Sequence, residues 1–145
     1  MNIFEALRAD HDVQRRLLGL LIETQGDSDG RDELFKRLRA ALQDHAAAEE
    51  RHFYVPLMQI DSAQDQARHG VAEHHEIDEL IAALEDTDRS SPGWIATARK
   101  LHDKVSHHLQ DEEHGIFQLS GRVLDDDQKL TLGRDYRQMM DELGA

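Results

Sequence analysis

Apolar residues recur at helical spacing along almost the whole 145-residue chain, and the pattern breaks only at a few polar turns. Phe4, Leu7, Leu18 and Leu21 mark one face of a first helix, expected over about residues 2–24 and closed by the glycine-flanked run Gln25-Gly-Asp-Ser-Asp-Gly30. Leu34, Leu38, Leu42 and Phe53 predict a second helix over about 31–59, and Asp61-Ser62 is expected to end it and cap the next. Val71, Ile77, Ile81 and Leu84 predict a third over about 63–85. After a loop, Ser91-Pro92 reads as an N-cap followed by an N1 proline. Ile95, Ala98, Leu101, Val105, Ile116 and Leu119 then continue a fourth helix over about 92–121. Leu130, Tyr136, Met139, Met140 and Leu143 predict a short fifth over about 126–143. Short turns between long helices favour antiparallel neighbours. The pattern therefore predicts an all-α, up-down-up-down four-helix bundle over about 2–121 with a short C-terminal helix, all in one domain of residues 1–145.

The apolar stripes carry polar interruptions, and these repeat. Asp10-His11 matches Glu73-His74, and His45-Ala-Ala-Ala-Glu49-Glu50 matches His108-Leu-Gln-Asp-Glu112-Glu113. Positions 11 and 74, 45 and 108, and 49 and 112 all stand 63 residues apart, so the bundle reads as a duplicated helical hairpin. His45 continues the Leu38–Leu42 stripe, and His108 continues Leu101–Val105. Residues four apart lie one above the other, so each His-x-x-x-Glu pair aims a nitrogen and a carboxylate into one volume of core.

Four imidazoles and two carboxylates buried without partners would cost several kcal/mol each. A buried His–Glu hydrogen-bond network and a metal centre both satisfy that polarity. Only a dinuclear centre accounts for two matching copies, with two histidines per ion and the two glutamates between them. Mixed imidazole and carboxylate donors suit two iron ions, with manganese or zinc as alternatives. Such a set leaves coordination positions open for dioxygen, nitric oxide or peroxide.

The other histidines of the 10 receive blander expectations. His75 and His107 point about 100° away from their neighbours and are expected at the surface. His52, His69, His102 and His114 lack repeat partners and stay outside the site. Tyr54 and Trp94 are expected to pack in the core.

Composition narrows the partners. There are 30 Asp+Glu against 17 Lys+Arg, a formal charge of −13, which repels nucleic acid and anionic membranes. The absence of cysteine removes disulfides, thiolate ligands and thiol nucleophiles, and is compatible with a reducing cytosol. No leader-like segment and no apolar run of about 20 residues is seen, so a cytoplasmic location is expected.

The doubled signature resembles the hemerythrin-like (HHE cation-binding) family over about residues 4–120, including the pairs Phe53-Tyr54 and Ile116-Phe117 after each Glu-Glu. The resemblance implies a non-haem di-iron site in a four-helix bundle. His11 and His45 would ligate one iron, His74 and His108 the other, and Glu49 and Glu112 would bridge. Oxygen-carrying members add a fifth histidine where this chain has Asp78, so that pattern is incomplete. Asp78 is expected to be solvated. The four-His, two-Glu set is closer to members that repair iron centres under nitrosative stress, whose cysteine-bearing segment has no counterpart in this sequence. The implied function is binding or sensing of dioxygen, nitric oxide or iron. The alternatives are a di-iron enzyme that consumes peroxide or activates oxygen, or an iron-centre repair protein.

Overall fold

The computed structural model of the protein describes all of residues 1–145. It is wholly helical. The first helix, α1, runs Ile3–Leu21 behind a capping box in which Asn2 and Glu5 satisfy each other's backbone N–H. Helix α2 (Asp29–Glu49) is capped by Ser28. The remaining elements are α3 (Val55–Met58), α4 (Gln64–Glu85), α5 (Pro92–His114), α6 (Ile116–Val123) and α7 (Asp126–Gly144). Ser91 caps α5 as expected, its side chain accepting from the Trp94 N–H. Helices α1, α2, α4 and α5 form the antiparallel bundle, with α1 packed on α2 and α5, and α4 on α5 and α2. No helix is long and apolar enough to cross a membrane.

Three expectations about element boundaries are corrected. The second helix is not uniform to residue 59: directly after Glu49, residues Glu50–Tyr54 form a π-helical turn, with the Val55 N–H donating to the Glu50 carbonyl. Pro56 contributes no N–H, which weakens the α-helical ladder at this point. The wider turn lets Phe53 and Tyr54, adjacent in sequence, both be fully buried. The fourth helix breaks at Gly115 (φ −105°, ψ −88°) and restarts as α6, at a residue of poor helix propensity. Asp61 and Ser62 do not cap α4; they form a 3-10 turn, and Ala63 precedes α4 without a side-chain cap.

The C-terminal helix lies where the pattern placed it, over Asp126–Gly144. At 19 residues α7 equals α1 in length, and it lies against both α1 and α2. Its approach is close at Gly133, where a Cβ would come within 2.6–2.7 Å of the Asn2 and Ile3 backbone, so only glycine fits. Leu130 and Leu143, expected in its buried stripe, are 55% and 42% exposed; Tyr136 is the side chain it buries completely.

The core is two apolar clusters rather than one. Leu17, Leu18, Leu21, Phe35, Leu38, Ile81, Trp94 and Leu101 belong to the cluster at the hairpin-turn end. Phe35, rather than Leu34, takes the deepest place there, edge-on to Trp94 at 5.8 Å. Ile3, Leu7, Phe53, Tyr54, Leu57, Ile116, Phe117 and Tyr136 belong to the second cluster. The polar interruptions fall between the two.

Candidate metal centre

Every residue of the predicted set enters that middle layer. His11 comes from α1, His45 and Glu49 from α2, His74 from α4, and His108 and Glu112 from α5, and none is more than 4% exposed. One ligand atom each from His11, His45, Glu49 and Glu112 falls within a 4.8 Å group, and a second such group unites Glu49, His74 and His108. Glu49 therefore belongs to both groups. Glu112 also spans the layer, with Oε1 3.1 Å from His11 Nε2 and Oε2 3.7 Å from His108 Nε2.

All four imidazoles are held in one sense. His11 Nδ1 faces Glu113 Oε1 at 3.4 Å, His74 Nδ1 faces Glu50 Oε1 at 3.1 Å, and His108 Nδ1 faces Glu73 Oε1 at 2.9 Å. His45 Nδ1 donates to the Tyr136 hydroxyl at 2.6 Å, which donates in turn to Asp10 at 2.6 Å. Carboxylates only accept, so each Nδ1 carries the proton and each Nε2 points inward. The four Nε2 atoms, both Glu49 oxygens and Glu112 Oε1 have no hydrogen-bond partner although they are buried. Imidazole–carboxylate approaches of 3.1–3.3 Å to His11, His45 and His74 put charge near charge but are misaligned for hydrogen bonding. Converging orphaned donors with anchored outer nitrogens are what a metal ion requires, so the residues present fit one.

The buried charges perturb one another. Burial disfavours the imidazolium of His11, but Glu112 and Glu113 outweigh it and raise its pKa to about 9. Against the same burial penalty, Glu49 and Glu50 raise His74 to about 10. Burial also opposes the Glu49 charge, yet His45 and His74 hold its carboxyl well below the usual range. Glu112 is pushed up, first by burial and then by the Glu49 charge. The Tyr54 hydroxyl, kept protonated by burial and the nearby carboxylates, donates to Glu112.

That contact corrects the expectation that Tyr54 only packs. Its ring lies against the α4 backbone at Gly70, where a Cβ would overlap the ring. Gly70→Ala is thus expected to push Tyr54 off Glu112 and to cost about 1–3 kcal/mol of overpacking. A urea midpoint unchanged from wild type would count against this account.

Asp78 is exposed as expected and belongs to neither ligand group. His75 and His107 are at the surface, paired with Glu79 and Asp111. Gln14 lies on the inner face of α1; it is 2% exposed, with its amide nitrogen unpartnered beside a cavity of about 10 Å³ lined also by His45, His74 and His108.

The sequence matches the profile of the hemerythrin HHE cation-binding domain over residues 2–120. The chain belongs to the hemerythrin HHE family. The family model is that of a cation-binding domain, and the buried His/Glu groups described above lie within the matched span. A crystal structure of a hemerythrin HHE cation-binding domain-containing protein from Mycobacterium kansasii, a homolog of Rv2633c, superimposes with a TM-score of 0.89. At 24% identity, covering 99% of this chain and 87% of that one, the likeness shows a shared fold. No curated protein matches the chain.

The outer partners in this hemerythrin-like site were not assigned from the sequence, though a signal was present. The offset that relates the six inner residues also relates Glu50 to Glu113 and Asp10 to Glu73. Glu50 and Glu113 each hold the first-helix histidine of the other hairpin, and Glu73 holds His108 directly. Asp10 is one methylene shorter than Glu73, and the Tyr136 hydroxyl fills the gap to His45. Position 54 is tyrosine where its repeat mate, Phe117, has no hydroxyl, so the phenol bond falls on only one of the two central carboxylates.

Proposed function

We propose that this hemerythrin HHE chain holds two iron ions, His11 and His45 serving one and His74 and His108 the other, with Glu49 and Glu112 between them. In this reading the pair takes up a small exogenous ligand, namely dioxygen, nitric oxide or peroxide, in the cytoplasm. The single observation behind it is the set of buried, inward-facing and unpartnered Nε2 and carboxylate atoms. When bound, iron supplies Lewis acidity and redox capacity. The chain's own groups do the rest. Glu113, Glu50 and Glu73, with Tyr136 on Asp10, fix the ring orientations. Tyr54 orients Glu112, and the apolar clusters above and below exclude bulk water.

Elemental analysis of freshly prepared protein, with an optical spectrum before and after air exposure, tests this reading. About two irons per chain are expected, with an absorption band that changes on oxidation. His45→Ala should lose metal while His52→Ala keeps it; equal loss in both sinks the assignment.

One observation favours a catalytic alternative, consumption of peroxide. Tyr54 and Glu112 line a solvent-open cleft of about 180 Å³, so a protonated phenol stands where a small ligand from solvent would arrive. Metal-dependent peroxide disproportionation that falls in Tyr54→Phe would favour turnover, and reversible binding without turnover would favour carriage or sensing.

A further inference from the structure

A second group of metal-ligating side chains lies outside the central cluster. His69 and Glu73, one turn apart on α4, and Asp111 on α5 bring one ligand atom each within 4.8 Å of one another. Glu73 is buried, while His69 is two-thirds exposed. All three line the cleft of about 180 Å³. The same cleft is lined by Tyr54, His108 and Glu112, and there His108 Nε2 and Glu112 Oε1 are buried and unpartnered. The cleft thus runs from a solvent-facing imidazole–carboxylate group to the orphaned donors of the core. The cavity on the Gln14 side, at about 10 Å³, is barely the size of one water.

Other charges face this group. Lys104 Nζ stands 3.7 Å from Glu73 Oε2, but its ammonium is engaged by Glu76. His107 Nε2 is 3.0 Å from Asp111 Oδ2 on the outer side. The donor set is one imidazole and two carboxylates with open solvent beyond. It suits a hydrated divalent first-row cation held weakly and released readily, rather than a tightly enclosed ion.

We propose that His69, Glu73 and Asp111 form a staging site for a divalent metal cation at the mouth of the cleft through which metal reaches the buried cluster. The proposal rests on the reading of that cluster as the metal centre. Glu73 joins the two levels, since its Oε1 also anchors His108. A carboxylate-lined mouth on a chain of net charge −13 concentrates cations and raises their capture rate.

Full-length protein stripped with chelator and titrated with Co²⁺ alone tests this, because Co²⁺ absorption reports both equilibrium occupancy and, by stopped flow, filling rate. Wild type should bind two ions tightly and a third weakly. His69→Ala and Asp111→Asn should lose the weak ion, keep the two tight ones and fill them roughly tenfold more slowly, the low end of what electrostatic focusing contributes. His75→Ala, an exposed histidine on the same helix but outside the cleft, should behave as wild type. Wild-type filling rates in both cleft variants, or a third ion that survives both, overturn the proposal. Absence of the two tight ions from wild type would instead overturn the reading of the core cluster, and the weak ion is scored separately in the same titration.

Discussion

Metal-stripped protein is expected to lose stability as pH rises from about 6.5 to about 10, while metal-loaded protein keeps its stability over that window. The sign follows from the histidines. His11 rises from 6.5 to about 9 and His74 from 6.5 to about 10 in the folded, metal-free chain. A raised pKa contributes stability that is complete below the unfolded value and disappears as pH climbs through the folded one. With each pKa unit worth about 1.4 kcal/mol, the loss is on the order of several kcal/mol for two such groups in one coupled cluster. The carboxylates act at the other end. Glu113, held at about 2 chiefly by His11, adds stability above its ordinary 4.5 that is lost as pH falls toward 2. Stripped protein should therefore be most stable between about pH 4.5 and 6.5.

Metal replaces the protons on Nε2, so the loaded form has no such protons to lose and binding tightens as pH rises. At ligand concentrations about a thousandfold above Kd, linkage adds about 4 kcal/mol. That corresponds to a rise in Tm of roughly 10 °C for a chain of this size. Urea midpoints at pH 6, 8 and 10, with and without metal, measure both effects. Two flat and coincident profiles would falsify the account.

The second large effect is expected at Glu49. Its carboxylate belongs to both ligand groups and has no other partner. Glu49→Ala should abolish both ions together, whereas His11→Ala should leave one ion's donors in place. In the stripped protein the same change leaves His45 and His74 without their nearest central charge. Breaking a buried ion pair from one side costs about 3–5 kcal/mol. Glu49→Gln keeps the shape and removes the charge, so it should lose metal while folding more stably than Glu49→Ala. Metal content and urea midpoints of the three variants decide this. One fully occupied ion in Glu49→Ala would mean that the carboxylate does not bridge.

How far the site could be read from the sequence depended on periodicity. His45, Glu49, His108 and Glu112 stood out because a polar residue at i, i+4 within an apolar stripe has to face the core. His11 and His74 joined them through the same 63-residue spacing. Tyr54 could not be read this way. Beside Phe53 its register depends on the π-helical turn, which α-helical periodicity does not anticipate. His69 was set aside because it has no repeat mate, and its nearness to Asp111 exists only across the α4–α5 interface.

By itself, the sequence determined the main helices, the paired hairpins and the six inward-facing donors, because these follow from apolar spacing along each helix and from the 63-residue repeat between the hairpins. Tertiary structure alone decided which outer group holds which histidine, since those contacts join residues 24 to 102 positions apart. It also decided that the C-terminal helix completes the site. Tyr136 reaches His45 only because Gly133 lets α7 lie directly on the start of α1, and nothing in the pattern of α7 encodes that contact.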